Sequence, residues 1–186
     1  MLRDVAFDTR PCAGETANGD AVFVWTGSQR AVLAVIDALG HGPAAAECAR
    51  RAMSALDAAA PQASLLELME RVHVALRGSR GAAMTALVLT PASWSACAVG
   101  NVSMRASGVA FDVPMSPGVL GGRVRKMRVT EATPRPRARL ALFSDGLSSR
   151  WSLEPASTLR AREVCDQLFS AYAKTTDDAT LLIVDP

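Results

Sequence analysis

The 186-residue chain has no Cys-x-x-Cys pair, and none of its four cysteines (Cys12, Cys48, Cys97, Cys165) has a histidine at zinc-ligand spacing. A structural zinc site is therefore not expected. Cys48 and Cys97 lie in apolar runs and read as small core residues. Unpaired thiols point to a reducing, cytosolic setting. The chain also lacks a charge excess: 20 Lys+Arg against 18 Asp+Glu leave a net charge of +2. That is too little to argue for a nucleic-acid or anionic-membrane partner. The one local basic cluster, Arg123, Arg125, Lys126 and Arg128, reads as a solvated face, with a docking patch for an acidic partner as the alternative. No apolar stretch reaches ~18 residues, so no membrane span is expected. The start, Met1-Leu-Arg-Asp, has no long apolar core and does not look like a secretory leader. There is no internal repeat, no low-complexity linker, no Gly-Lys-[Ser/Thr] phosphate loop and no Gly-x-Ser-x-Gly elbow.

What is present is a globular composition, 49% apolar and 20% charged, at a length that suits one domain over residues 1–186. The first half reads as three strands and two helices. Val22–Trp25 and Ala31–Ile36 are apolar runs around a Gly27–Ser28 turn, a hairpin pattern. Ala31–Ile36 has no polar residue and suits a strand buried on both faces. A helix is predicted over Pro43–Ala59, with proline in its first turn, Ala45, Cys48, Ala49, Ala52, Met53 and Leu56 on one face, and Glu47 able to pair with Arg50 and Arg51. A second is predicted over Leu65–Arg77, opened by a Ser64/Glu67 capping box and stopped at Gly78. His73 reads as a boundary histidine. Strands are predicted at Ala83–Thr90, Trp94–Val99, Ser103–Ala106, Arg125–Thr130, Arg139–Phe143 and Ala179–Val184, and a helix at Ser157–Tyr172. The order implies an α+β domain with helices covering a β core.

Acids stand at the ends of these strands. Asp20 precedes one, Asp37 follows another, Asp145 follows Arg139–Phe143 after a single serine, and Asp177 and Asp178 precede the last. Rigid strands can present such side chains to a cleft. Converging carboxylates could not all stay ionised without a cation, and hard ions such as Mg²⁺ or Mn²⁺ take this ligand type. Gly146, after Asp145, would let the backbone turn tightly and a carbonyl approach a ligand. Any one of these aspartates alone also fits ordinary turn chemistry.

The segment Gly40-His41-Gly42-Pro43-Ala44-Ala45 matches a dinucleotide fingerprint, G-x-G-x-x-A, between a strand and a helix. Pro43 removes a backbone donor from the helix start, and no second strand ending in an acid follows. A nucleotide-binding domain is the weaker reading.

Val35-Ile36-Asp37-Ala38-Leu39-Gly40-His41-Gly42 resembles the Asp-Gly-[Met/Leu]-Gly-His-Gly segment of the SpoIIE-like branch of the type 2C metal-dependent protein phosphatases. Gly14 to Asp20 resembles that branch's Gly-Asp motif, Phe143-Ser-Asp145-Gly146-Leu147 its Ser/Thr-Asp-Gly motif, and Asp177-Asp178-Ala-Thr180 its Asp-Asp-x-Thr motif. Gly81-Ala-Ala-Met-Thr85 and Val99-Gly-Asn101-Val are most similar to the RsbX-like subgroup.

The resemblance implies a four-layer α-β-β-α sandwich of two antiparallel sheets flanked by helices, with the metal site at one edge. It implies two divalent cations, Mn²⁺ or Mg²⁺. Asp37 would bridge them, the Ala38 carbonyl would be a further ligand, Asp145 and Asp177 would complete the second, and Asp20 would act on the first through water. Gly40 and Gly42 would lie against the substrate, and His41 would protonate the leaving oxygen or shape the loop. The implied substrate is a phosphoserine or phosphothreonine on a STAS-domain regulatory protein, acted on by a cytoplasmic monomer. A pseudophosphatase that binds a phosphoprotein without turnover is the alternative. Two departures stand out: alanine at 38 where the branch has glycine, and Glu15 where many type 2C enzymes have a phosphate-binding arginine, for which Arg10 is a candidate substitute.

Overall fold

The computed structural model describes residues 2–156 and 159–186. Within them the chain forms strands β1 (Asp4–Arg10), β2 (Asp20–Thr26) and β3 (Ala31–Ala38), helices α1 (Pro43–Asp57) and α2 (Leu65–Ala75), strands β4 (Ala82–Leu89), β5 (Trp94–Val99), β6 (Ser103–Ser107), β7 (Met115–Ser116), β8 (Val129–Ala132) and β9 (Arg139–Phe143), helix α3 (Ala161–Tyr172) and strand β10 (Ala179–Asp185). One sheet has the order β1-β10-β9-β6. The other has the order β2-β3-β4-β5-β7, with β8 also paired to β5.

The period-two alternation of a strand explains the layering. In β3 every residue except Asp37 is buried. Val32, Ala34 and Ile36 face α1 and α2, where they meet Cys48, Ala52, Leu56, Leu68, Met69 and Val72. Ala31, Leu33 and Val35 face the other sheet and pack with Leu140 and Leu142 of β9 and Leu182 and Val184 of β10. On the far side of the four-stranded sheet, Ala141, Phe143, Leu181 and Ile183 receive Ala161 and Cys165 of α3. The result is the four-layer α-β-β-α sandwich.

The predicted capping box opens α2: Ser64 Oγ accepts from the Glu67 N–H, and the Glu67 carboxylate accepts from the Ser64 N–H at 2.7 Å. Gly78 turns the chain after it at φ +75°. Other expectations need adjustment. Both sheets are antiparallel except at one edge, where β7 runs parallel to β5. Helix α1 stops at Asp57 because Ala59 and Ala60 both donate back to the Leu56 carbonyl in a turn ahead of Pro61. Glu47 pairs with Arg50, whereas Arg51 reaches the carbonyls of Ala75 and Arg77 and ties α1 to the end of α2. The strand predicted from Arg125 begins only at Val129, leaving Arg123, Arg125, Lys126 and Arg128 on exposed chain. Ser157, the predicted start of the last helix, lies outside the described residues; α3 begins at Ala161. Among the described residues no helix is long and apolar enough to cross a membrane.

Candidate metal centre

The register of β2 on β3 places Asp20 directly opposite Asp37. Paired residues share a face, and this face is the one that Leu33 and Val35 present to the second sheet. At the same end of the sandwich β9 runs out into Ser144 and Asp145, and β10 starts after Asp177 and Asp178. Acids separated by more than 150 residues thus meet where the two sheets open.

Each acid is held differently. Asp20 is 5% exposed and accepts from Ser144 Oγ at 2.6 Å. Ser144 is fully buried and in turn accepts from the Thr180 N–H at 3.0 Å. Asp145 accepts from Asn101 Nδ2 at 2.7 Å, and its backbone carbonyl accepts from Lys174 Nζ at 2.6 Å. Asp177 accepts from the Asp178 N–H at 2.9 Å. Asp178 spends both oxygens on the chain before β2, accepting from Cys12 N and Gly19 N at 2.7 Å each. It fastens the 12–19 loop, whereas only one oxygen of Asp177 is engaged.

The acids act on one another electrostatically. Burial pushes the Asp37 carboxyl up to about 8, and the charges of Asp20, Asp145, Asp177 and Asp178 push the same way. Asp20 is raised to about 7, chiefly by burial, with the Ser144 and Thr180 hydroxyls pulling it down and Asp178 and Asp177 pushing it up. Uncompensated acids clustered in this way fit a cation. Among the described residues, no three His, Cys, Asp or Glu side chains already close a cage around an ion. Mg²⁺ keeps several waters and takes only one or two carboxylates directly. A cavity of about 500 Å³ beside Arg3, Leu89, Trp94 and Pro136 lies at the opposite end of the sandwich.

The loop after β3 needs its glycines. Gly40 and Gly42 have φ +82° and +77°, a region unfavourable to other residues. Ala38, by contrast, is 1% exposed at the end of β3 and takes no positive φ, so alanine stands there without strain. The Leu39 N–H donates to the Gly81 carbonyl at 3.0 Å and the Ala38 N–H to the Gly19 carbonyl at 3.1 Å, fixing the loop from both sides. His41 Nδ1 lies 2.7 Å from Glu15 Oε1.

Three expectations change. Gly146 is required because a Cβ there would lie 1.8 Å from the Asp178 carbonyl oxygen, and its own carbonyl accepts from Lys174 N rather than facing a ligand. Arg10 is committed elsewhere: Nη2 donates to the carbonyls of Ala173 and Lys174 at 2.8 and 2.9 Å, and the guanidinium lies over the Phe169 ring. Ser144 and Asn101, which the strand-end reading passed over, hold the carboxylates of Asp20 and Asp145. Only their adjacency to the acid and glycine motifs marked them in the sequence. His73 is half-buried, and its Nδ1 accepts from the Gly121 N–H at 3.2 Å.

Fold and site define a class, the type 2C-like protein serine/threonine phosphatases. The chain belongs to the family of Stage II sporulation protein E (SpoIIE), whose family model matches residues 27–186. Among solved structures it is similar to a chain described with the bacterial stressosome, a modular system adapted to control secondary messenger signalling; identity is 26%, coverage 98% of both chains and TM-score 0.89. It is similar to RsbX, solved in complex with magnesium, at 21% identity over 97% of this chain and 94% of that one, TM-score 0.84. The Mycobacterium tuberculosis serine/threonine phosphatase PstP/Ppp shares the fold at 18% identity, over 100% and 99% of the two chains, TM-score 0.74. No curated protein matches the chain.

Proposed function

We propose that this protein is a Mn²⁺- or Mg²⁺-dependent phosphatase that removes phosphate from phosphoserine or phosphothreonine on a bacterial regulatory protein of the STAS-domain type. The observation that carries the reading is the gathering of Asp20, Asp37, Asp145 and Asp177 at one open end of the sandwich, each acidic charge bearing on Asp37. Asp37, Asp145, Asp177 and the Ala38 carbonyl would hold two cations, with Asp20 acting through water. Bound there, the cations supply Lewis-acid charge and acidify a water for in-line attack on phosphorus. Glu15 orients His41 through Nδ1, and with the imidazole in its cationic form Nε2 would carry the proton for the departing serine or threonine oxygen, returning the ring to its neutral form. Gly40 and Gly42 let backbone approach the phosphoryl group. The magnesium-bound RsbX and the stressosome relative support the metal and the signalling context. Four free cysteines, three of them buried, support a cytoplasmic setting.

The test is hydrolysis of p-nitrophenyl phosphate and of a phosphothreonine peptide with Mn²⁺, using Asp37→Asn as the comparison. Loss of at least two orders of magnitude in kcat is expected. Equal rates in the two proteins would remove the catalytic reading and favour a module that binds phosphoprotein without turnover.

A further inference from the structure

We propose that Arg80 holds the substrate's phosphoryl group at this centre, which deepens the phosphatase reading above and rests on it. The site has four gathered carboxylates and needs a fixed cation on the substrate side. Position 15 is a glutamate engaged with His41. Arg10 is tied to the end of α3, and Lys174 is bonded to the Asp145 backbone.

Arg80 differs from all of these. It stands on the short turn between α2 and β4, and among the described residues its guanidinium makes no hydrogen bond or ion pair. It lies directly against the metal-site loop: a Cβ on Gly40 would fall 2.5 Å from Arg80 Nη1. The next residue is fixed, since the Gly81 N–H donates to Ser79 Oγ at 3.1 Å and the Gly81 carbonyl accepts from Leu39 N at 3.0 Å. The side chain therefore springs from a rigid turn that is bonded to the same loop as Asp37. It is also exposed. A planar fork with free donors beside a glycine backbone suits the oxygens of a phosphate monoester. The guanidinium points end-on at Gly40, where a Cβ would fall 2.5 Å from Nη1 and 3.8 Å from Cζ, so only a bare glycine leaves it room.

The experiment is steady-state hydrolysis of p-nitrophenyl phosphate and of a phosphothreonine peptide at saturating Mn²⁺. It compares wild type, Arg80→Ala, Arg80→Lys and, as a charge-matched control on the same turn, Arg77→Ala. Mn²⁺ affinity and inorganic-phosphate affinity are read in parallel by calorimetry. Arg80→Ala should raise KM for both substrates, and weaken phosphate binding, by about tenfold or more. Its kcat should change less than KM and its Mn²⁺ affinity should not change; Arg80→Lys should fall in between and Arg77→Ala should match wild type. KM and phosphate affinity of Arg80→Ala within twofold of wild type would overturn the proposal. Absence of Mn²⁺-dependent turnover in wild type would count against the phosphatase reading instead, and phosphate binding to the Mn²⁺-loaded proteins would still decide the role of Arg80.

Discussion

Ser144→Ala removes one hydroxyl and should disturb both the fold and the centre. Ser144 is fully buried, donates to Asp20 Oδ2 at 2.6 Å and accepts from the Thr180 N–H at 3.0 Å. A hydrogen bond to a charged group contributes about 1.5–3 kcal/mol, and leaving a buried donor unsatisfied costs about 1–3 kcal/mol. With Asp20 ionised, the loss should be about 3–5 kcal/mol. With Asp20 protonated only the orphaned Thr180 donor remains, and the loss falls to about 1–3 kcal/mol. Because Asp20 titrates at about 7, the difference should appear between pH 5 and pH 8. The assay is urea unfolding of the metal-free wild type and variant at both pH values, with Mn²⁺ titration alongside. Mn²⁺ affinity should drop about 10- to 100-fold, as for other residues that orient a ligand from behind. A stability loss that is the same at pH 5 and pH 8, together with unchanged Mn²⁺ affinity, would refute the role assigned to Ser144.

Two more predictions concern charge. Asp20 and Asp37 have folded-state values raised from 3.8 to about 7 and about 8. The folded protein then binds more protons than the unfolded chain between those limits, so metal-free stability should be fullest near pH 4 and fall as pH rises towards 8. Millimolar Mn²⁺ should restore stability at pH 8, measured by thermal melts with and without chelator; a metal-free melting temperature that rises from pH 5 to pH 8 would contradict this. At the other end of the sandwich, Arg139 is 1% exposed and grips Asp185 through Nε and Nη2 at 2.7 Å each. Arg139→Met should cost about 3–5 kcal/mol by stranding the Asp185 charge, and adding Asp185→Leu should recover much of it in denaturant unfolding.

Much of the fold was readable because its strands are strongly patterned. The unbroken apolar run Ala31–Ile36 could only be a strand or helix buried on both faces, and the Gly27–Ser28 turn decided in favour of a strand. The first strand was not locatable for the opposite reason. Asp4–Arg10 alternates acids and an arginine with apolar residues because it is a sheet edge: Asp8 pairs with Arg162, and Asp4 accepts from the Ala161 N–H at 2.9 Å. Its charges serve α3, a long-range contact that no local pattern reveals. The two-residue β7 and the late start of β8 sit in irregular chain between residues 108 and 128, where pairing to β5 alone defines the strand.

The site was readable as a set of types and not as a geometry. Four strand-end aspartates could be counted, but that Asp20 opposes Asp37 depends on register, and that Ser144 completes Asp20 depends on a contact across 124 residues. The two departures from the family pattern show the same limit. Alanine at 38 departs from the branch's glycine; in the fold the position belongs to a strand, where glycine's freedom is not needed. Glu15 looked like a missing phosphate ligand. In the fold its carboxylate holds His41 beside two positive-φ glycines, so the sequence change removes a cation from one side of the cleft and adds an orienting acid there. An acid facing an incoming phosphate would be repulsive unless a cation stood elsewhere on the rim. Under the role proposed for it, Arg80, against Gly40, would supply that charge. The exchange therefore couples two residues that are 65 positions apart. Glu15→Arg should lower KM in the Arg80→Ala background and have less effect in wild type.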